Sequence, residues 1–166
     1  MLENEIEGLI GRFYEAAADP SQWRQVLEDA SRVFEAEGAV LLGPVTREIP
    51  VIWSSGLDGM SEEFVKGGWY LVNPRPERVK DAGTTKIHTE STLFTPEELD
   101  RHFYLAEFWN RHGLRYWVGT LLTDPGPDAV AFSCERSSKA EPFTPREIDH
   151  FARALPHFKR AASLAA

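Results

Sequence analysis

Two pairs of strand-like segments, each pair joined by a short turn, limit the possible folds most strongly. GAVLLGPV and IPVIWSS flank a turn near Thr46 to Glu48, and YWVGTLLT and AVAFSCE flank the Pro/Gly turn DPGPD. β-Branched and aromatic residues favour strands, and consecutive strands joined by short turns pair antiparallel. The sequence therefore predicts an antiparallel sheet with strands near 38–45, 49–54, 116–123 and 129–135.

Three helix starts share one pattern, in which a capping side chain precedes a proline and Glu or Gln stands at the third helical position. They are DPSQ at Asp19, TPEE at Thr95 and TPRE at Thr144. Apolar residues recur at helical spacing around all three starts. They are Ile6, Leu9, Ile10, Phe13 and Ala17; Trp23, Val26, Leu27, Ala30 and Phe34; Leu99, Phe103, Ala106 and Trp109; Ile148, Phe151, Ala152, Leu155 and Phe158.

The middle of the chain has weaker signals. We expect a short helix over 61–71, weakened by Gly67 and Gly68, and then an irregular segment to about Leu93. The helix after Thr95 should end at Gly113, and Pro156 should interrupt the last helix. The element order predicts one α+β domain over residues 1–166, with the terminal helices packed together on one face of the sheet.

Charge and composition exclude several classes of protein. The formal net charge is −8, which argues against a grip on nucleic acid by this chain. The single cysteine, Cys134, excludes an internal disulfide, and neither a basic leader nor a long apolar run indicates a membrane. We therefore predict a cytoplasmic protein. Residues 1–30 are acidic and 146–160 are basic, so the two ends should attract each other.

Sequence patterns typical of catalysis are missing. The chain has no GxGxxG, phosphate-binding GK[ST] loop, HExxH or GxSxG motif, and its five histidines form no ligand set. Cys134 lies in an apolar strand, where a lone cysteine is usually structural. We predict no enzyme activity, no metal and no cofactor.

Aromatic residues cluster in the central part of the chain, and such clusters are typical of small-molecule cavities. The candidate ligand-binding residues are Trp53, Trp69, Arg75, His88, Tyr104, Arg115 and Trp117. Alternation along strand 116–123 places Trp117, Gly119 and Leu121 on one face. We expect Gly119 to leave open space beside Trp117, where a ligand or a packed helix can approach.

Four segments carry a resemblance to a known family. FYEAAADPSQW, VNPRPERV, FYLAEFWNRHGLRYWVGTLL and EPFTPREIDHFARALPHFKRA follow one another along most of the chain. In this order they resemble the GAF-like or PAS-like N-terminal sensor region of bacterial LuxR-type regulators, which normally end in a helix-turn-helix domain. The resemblance implies a GAF-like central antiparallel sheet flanked by helices.

The same resemblance implies a sensory domain of a transcription regulator, which binds a small molecule or dimerises to control an attached DNA-binding domain. We expect no helix-turn-helix domain within residues 1–166, so residues 1–166 are either the sensor region of a longer regulator or a sensor that acts alone. A homodimer is predicted, with an interface on the last helix at Phe151, Leu155 and Phe158. Two alternatives stay open: a ligand-free dimerisation or protein-interaction module, and a small α+β enzyme.

Overall fold

The computed structural model describes residues 2–43 and 51–165. A five-stranded antiparallel sheet has the order β2-β1-β5-β4-β3. Its strands are β1 (Gly38–Leu42), β2 (Val51–Trp53), β3 (His88–Thr89), β4 (Leu114–Leu121) and β5 (Ala131–Ser137). The predicted α+β class and its antiparallel sheet are confirmed. β3 was not predicted, because two residues are too few to show alternation.

Seven helices surround the sheet in the described part of the chain. They are α1 (Leu2–Ala18), α2 (Trp23–Val33), α3 (Asp58–Lys66), α4 (Arg75–Ala82), α5 (Glu90–Leu93), α6 (Pro96–Arg101) and α7 (Pro145–Ala165). The predicted start signals hold. Thr95 pairs with Glu98, and Thr144 with Glu147, in reciprocal capping boxes. None of these helices has the length and apolarity needed to cross a bilayer.

One face of the sheet carries a closely packed apolar core. α1, α2 and α7 cover this face, and their side chains meet Ala39, Val118, Phe132 and Cys134 from the strands. The Phe13 and Phe158 rings stack with centroids 4.0 Å apart, which joins α1 to α7. The predicted packing of the terminal helices on one face is confirmed. The predicted attraction between the two ends is seen at Arg153 and Glu3, 3.5 Å apart.

The other face carries shorter helical elements. α3, α4, α6 and a π-helical turn at Leu105–Trp109 lie over it, around Val40, Trp53 and Trp117 from the sheet. Alternation within each strand separates the two faces. In β4, Val118 faces the first core and Trp117 the second, as the sequence predicts.

Four local predictions are wrong. α3 covers Asp58–Lys66 rather than 61–71, because Gly68 takes a left-handed conformation (φ 74°) and ends it. The segment before Leu93 is not irregular, since α4 tolerates Pro76 in its first turn. α7 continues through Pro156, with Phe151 and Phe158 buried in one core on either side of the proline.

The fourth correction concerns the helix after Thr95. It ends at Arg101, where His102 becomes extended, and a π-helical turn follows. The new register leaves Phe103 62% exposed while Trp109 is buried, so the two do not share one apolar face. Gly113 does end this segment, with φ 78°. The predicted turn near Thr46 to Glu48 and strand positions 44, 45, 49 and 50 lie outside the described residues.

Candidate ligand-binding cavity

A cavity of about 740 Å³ lies between the second face of the sheet and the elements over it. Its walls are mainly aromatic and aliphatic: Val40, Leu42, Trp53, Phe64, Tyr70, Val79, Leu93, Tyr104, Trp109 and Trp117. This volume lies within the range of small-molecule sites, which combine apolar walls with a few polar groups. The cavity is therefore large enough for a ligand of drug-like size.

Small residues in the sheet leave this space open. Gly119 of β4 lies opposite Ser133 of β5, and Ala131 follows on the same face as Ser133. A Cβ atom on Gly119 would lie 2.8 Å from the Ser133 Cβ. Gly119 and Trp117 both line the cavity, so there is open space beside Trp117, but Ser133 lies too close to Gly119 for a side chain at position 119.

An ion pair crosses the floor of the cavity. Arg75 Nη1 lies 3.0 Å from Glu135 Oε1, and Arg75 Nη2 lies 3.4 Å from Glu135 Oε2. Ser133 Oγ donates to the same Glu135 Oε1 at 2.8 Å. The Glu135 side chain is fully buried and that of Arg75 is 15% exposed. The pair connects the first turn of α4 to β5.

Two indole rings hold the Arg75 guanidinium between them. Its Cζ atom lies 3.9 Å from the ring centroid of Trp109 and 3.8 Å from that of Trp117. These are cation–π distances. The backbone N–H of Arg75 also donates to Asn73 Oδ1 at 3.1 Å, which fixes the start of α4. The guanidinium is thus restrained by contacts with three elements.

A second buried carboxyl group lies beside this ion pair. Glu90 Oε1 accepts a hydrogen bond from the backbone N–H of Trp117 at 3.0 Å, and Glu90 Oε2 accepts one from that of Ser91 at 3.3 Å. Burial raises the pKa of Glu90, against the opposing effect of these N–H groups and of Arg75. Burial also raises the pKa of the Tyr104 phenol, so it stays protonated.

Five of the seven candidate ligand-binding residues line the cavity: Trp53, Arg75, His88, Tyr104 and Trp117. His88 also has a structural role, because its Nε2 lies 2.7 Å from the Gly83 carbonyl oxygen and its Nδ1 lies 3.2 Å from Thr92 Oγ1. Both ring nitrogens are thus engaged within the chain.

The other two candidates lie elsewhere. Trp69 does not line the cavity and instead packs against the π-helical segment, with its ring centroid 5.2 Å from that of Phe108 and 5.3 Å from that of Phe103. Arg115 pairs with Asp100 at 2.7 Å, away from the cavity. A register shift between Leu114 and Tyr116 breaks the alternation that would have aligned Arg115 with Trp117.

Sequence reasoning missed Glu135, the partner of Arg75. Alternation in β5 contained the necessary signal. With Cys134 in the first core, Ser133 and Glu135 must face the side of Trp117. A charged residue at such a position indicates a buried ion pair.

The three residues predicted for a dimer interface are buried inside the chain. Phe151 and Phe158 are 0% exposed and Leu155 is 8% exposed. Phe151 stacks on Phe132 with ring centroids 5.6 Å apart. They pack within the protein because α7 turns its apolar face to α1 and the sheet. A partner chain has no access to Phe151 or Phe158 while the domain is folded.

Three solved structures resemble this fold over nearly the whole chain. One is CepR2 from Burkholderia cenocepacia, an N-acylhomoserine lactone-dependent LuxR family transcription factor, with a TM-score of 0.68 and 12% identity, covering 95% of this chain and 93% of that one. Another is the LBD domain of VqsR from Pseudomonas aeruginosa, with a TM-score of 0.69 and 13% identity, covering 96% and 94%.

The third is SdiA from Escherichia coli, with a TM-score of 0.60 and 13% identity, where the match covers 96% of this chain and 65% of that one. This chain has the fold of these three proteins. The structural match agrees with the resemblance to LuxR-type sensor regions, while the finer GAF-like description stays a prediction. No protein-family model matches the sequence, and no curated protein sequence matches it.

Proposed function

We propose that this chain is the ligand-binding sensory domain of a LuxR-type transcription regulator, and that a small molecule held in the cavity controls an attached DNA-binding domain. In this proposal the protein acts in the cytoplasm, and the chain itself does not contact nucleic acid. CepR2, one of the proteins with this fold, is named as dependent on an N-acylhomoserine lactone. For the present chain, the ligand is a small molecule with a large apolar part.

The observation that carries this proposal is the cavity of about 740 Å³ in a fold shared with these regulators. A module that only dimerises has no use for so large a space, because an unfilled interior loses packing contacts. The cavity therefore favours ligand binding over the ligand-free alternative.

A non-catalytic role agrees with the polar groups of the cavity. Glu135 is neutralised by Arg75, and the Tyr104 phenol has a raised pKa. His88 uses both ring nitrogens within the chain. A general acid or base needs a pKa near the working pH and access to the substrate. These groups instead shape and orient a binding site.

A homodimer belongs to this proposal as well. Because Phe151, Leu155 and Phe158 pack in the core, the interface has to use exposed positions, and Arg153 on α7 has a side chain that is 72% exposed. Sedimentation at micromolar concentration tests the dimer. A species that stays monomeric overturns this part without affecting the ligand site.

The ligand-binding role is tested by thermal unfolding with a panel of acylhomoserine lactones and aromatic metabolites. A ligand specific for the folded protein raises the melting temperature in proportion to the logarithm of its concentration. A matched variant, Trp117→Ala, removes a cavity wall and should abolish the shift. Arg153→Ala on the exposed side of α7 is the control and should keep it. A shift that survives in Trp117→Ala would place binding elsewhere.

A further inference from the structure

The charges of the cavity are arranged unevenly between its floor and its rim. Arg75 and Glu135 lie on the floor, largely or fully buried. Glu77 and Lys80 also line the cavity, but both are exposed to solvent. Of the Arg and Lys residues among the described lining residues, only Arg75 is shielded from solvent, with a side chain that is 15% exposed.

The charge of Arg75 is already neutralised, and its contacts prevent the guanidinium from pairing with a different anion. Arg75 Nη1 and Nη2 donate hydrogen bonds to the two carboxylate oxygens of Glu135, at 3.0 and 3.4 Å. The rings of Trp109 and Trp117 lie against the guanidinium and hold it in place. Glu135 is fixed in turn by Ser133. A guanidinium has five N–H donors, so Arg75 still has hydrogen-bonding capacity but no unbalanced charge.

We propose that the Arg75–Glu135 pair selects uncharged ligands and rejects anions. The proposal deepens the ligand-binding role and depends on it. An anionic group that reached Arg75 would also meet the carboxylate of Glu135, and it would lose its water without gaining a free counterion. A neutral carbonyl or hydroxyl oxygen can accept an N–H of Arg75 without that repulsion. The apolar walls then bind the rest of the ligand.

Two fluorescent probes with one ring system test this selectivity. N-phenyl-1-naphthylamine is neutral, and 1-anilinonaphthalene-8-sulfonate carries a sulfonate on the same scaffold. Both can be titrated into the intact chain, with energy transfer from the cavity tryptophans as the readout. The expected result is that the neutral probe binds at least about tenfold more tightly than the sulfonate.

The variant Glu135→Gln tests the cause. Glutamine keeps the shape and can still hydrogen-bond to Arg75 and Ser133, but it removes the carboxylate that pairs with the guanidinium. Sulfonate binding should strengthen by about tenfold relative to the neutral probe. Glu97→Gln is the matched control, because it removes one negative charge from a side chain that is 74% exposed and lies outside the cavity. It should leave the ratio of the two affinities unchanged.

The outcomes separate the two proposals. Equal binding of both probes by the unaltered chain overturns the selectivity while leaving the ligand-binding role intact, and this comparison does not depend on whether any variant folds. Binding of neither probe counts against the cavity as a ligand site and overturns both. A ratio that changes equally in Glu135→Gln and Glu97→Gln would assign the effect to net charge and overturn the role of the pair.

Discussion

The two faces of the sheet are built from the same strands yet have opposite properties. Toward α1, α2 and α7, large apolar side chains fill the interior, and Phe13, Phe132, Phe151 and Phe158 are fully buried. Toward α3, α4 and the π-helical turn, β4 and β5 present Gly119 and Ser133, and a cavity remains. The first face stabilises the domain, and the second keeps space at the cost of some packing.

The arginine ion pairs on the two faces of the sheet also differ in their surroundings. The buried Arg136 on the first side binds the Phe34 carbonyl oxygen at 2.8 Å and the Glu147 carboxylate, which ties α2 and α7 to the sheet. On the second side, Arg75 performs a similar bridging role but its side chain borders empty space. In our proposal, the ion pair on the first face serves stability alone, whereas the pair on the second face serves both stability and ligand recognition.

Placing a charge in the filled face should have the largest effect. Phe158→Glu puts a carboxylate where the side chain is 0% exposed, at a cost of more than about 5 kcal/mol. The domain should fail to fold, as circular dichroism would show. Arg153→Glu, at a side chain that is 72% exposed on the same helix, should fold normally. If Phe158→Glu instead folds and loses only its ability to dimerise, the result would support the dimer interface predicted from sequence at Phe158.

Breaking the ion pair of the cavity should have the next largest effect. Arg75→Met leaves Glu135 buried without its cation and should lower the free energy of unfolding by about 3–5 kcal/mol. Adding Glu135→Gln should restore most of that loss, because the second change removes the unpaired charge. Urea denaturation of the four proteins in this double-mutant cycle gives the coupling energy. A value near zero would show that the pair has no structural role.

Filling the space beside Trp117 should have a moderate effect. Gly119→Ala brings a methyl group to 2.8 Å from the Ser133 Cβ, which should cost about 1–3 kcal/mol. Ser133→Gly on the same background removes the clash and should recover part of the loss, although it also removes the hydrogen bond to Glu135. Chemical denaturation measures both changes. If Gly119→Ala is as stable as the parent protein, then β4 and β5 are farther apart at Gly119 and Ser133 than the 2.8 Å contact requires.

The smallest effect is expected for Cys134, which belongs to the filled face. Its side chain is fully buried, and burial raises the pKa of the thiol, so little thiolate is present at neutral pH. Cys134→Ala should fold with a loss of about 1 kcal/mol. In the parent protein, a thiol reagent should react only as fast as the domain opens. Rapid modification under native conditions would indicate a reactive role.

Much of the filled face could be predicted from sequence, because its signals are local and periodic. The capping residues Asp19, Thr95 and Thr144 and the spacing of Leu9, Phe13, Phe151 and Phe158 depend on neighbours within one or two helical turns. The strands follow from runs of β-branched and aromatic residues. These features do not require knowledge of the tertiary structure.

The cavity face was harder to predict because its elements are short and depend on tertiary contacts. The π-helical turn changes the register after His102, so Phe103 became exposed against the helical pattern. The partnership of Arg75 with Glu135 joins positions 60 residues apart. Aromatic composition alone pointed to Trp53, Tyr104 and Trp117. Alternation in β5 could place Glu135 on the face of Trp117, but only the tertiary structure brings Arg75 to it.

The most direct measurement uses the indole N–H signals of the five tryptophans in an NMR titration with N-phenyl-1-naphthylamine. Trp53, Trp109 and Trp117 line the cavity, whereas Trp23 belongs to the opposite core. We expect the three cavity signals to shift and saturate together while that of Trp23 stays in place. A shift confined to Trp23 would place the ligand in the groove beside α7, where Trp23 also lies. That result, or signals that do not move at all, would show that the second face of the sheet is not the ligand site.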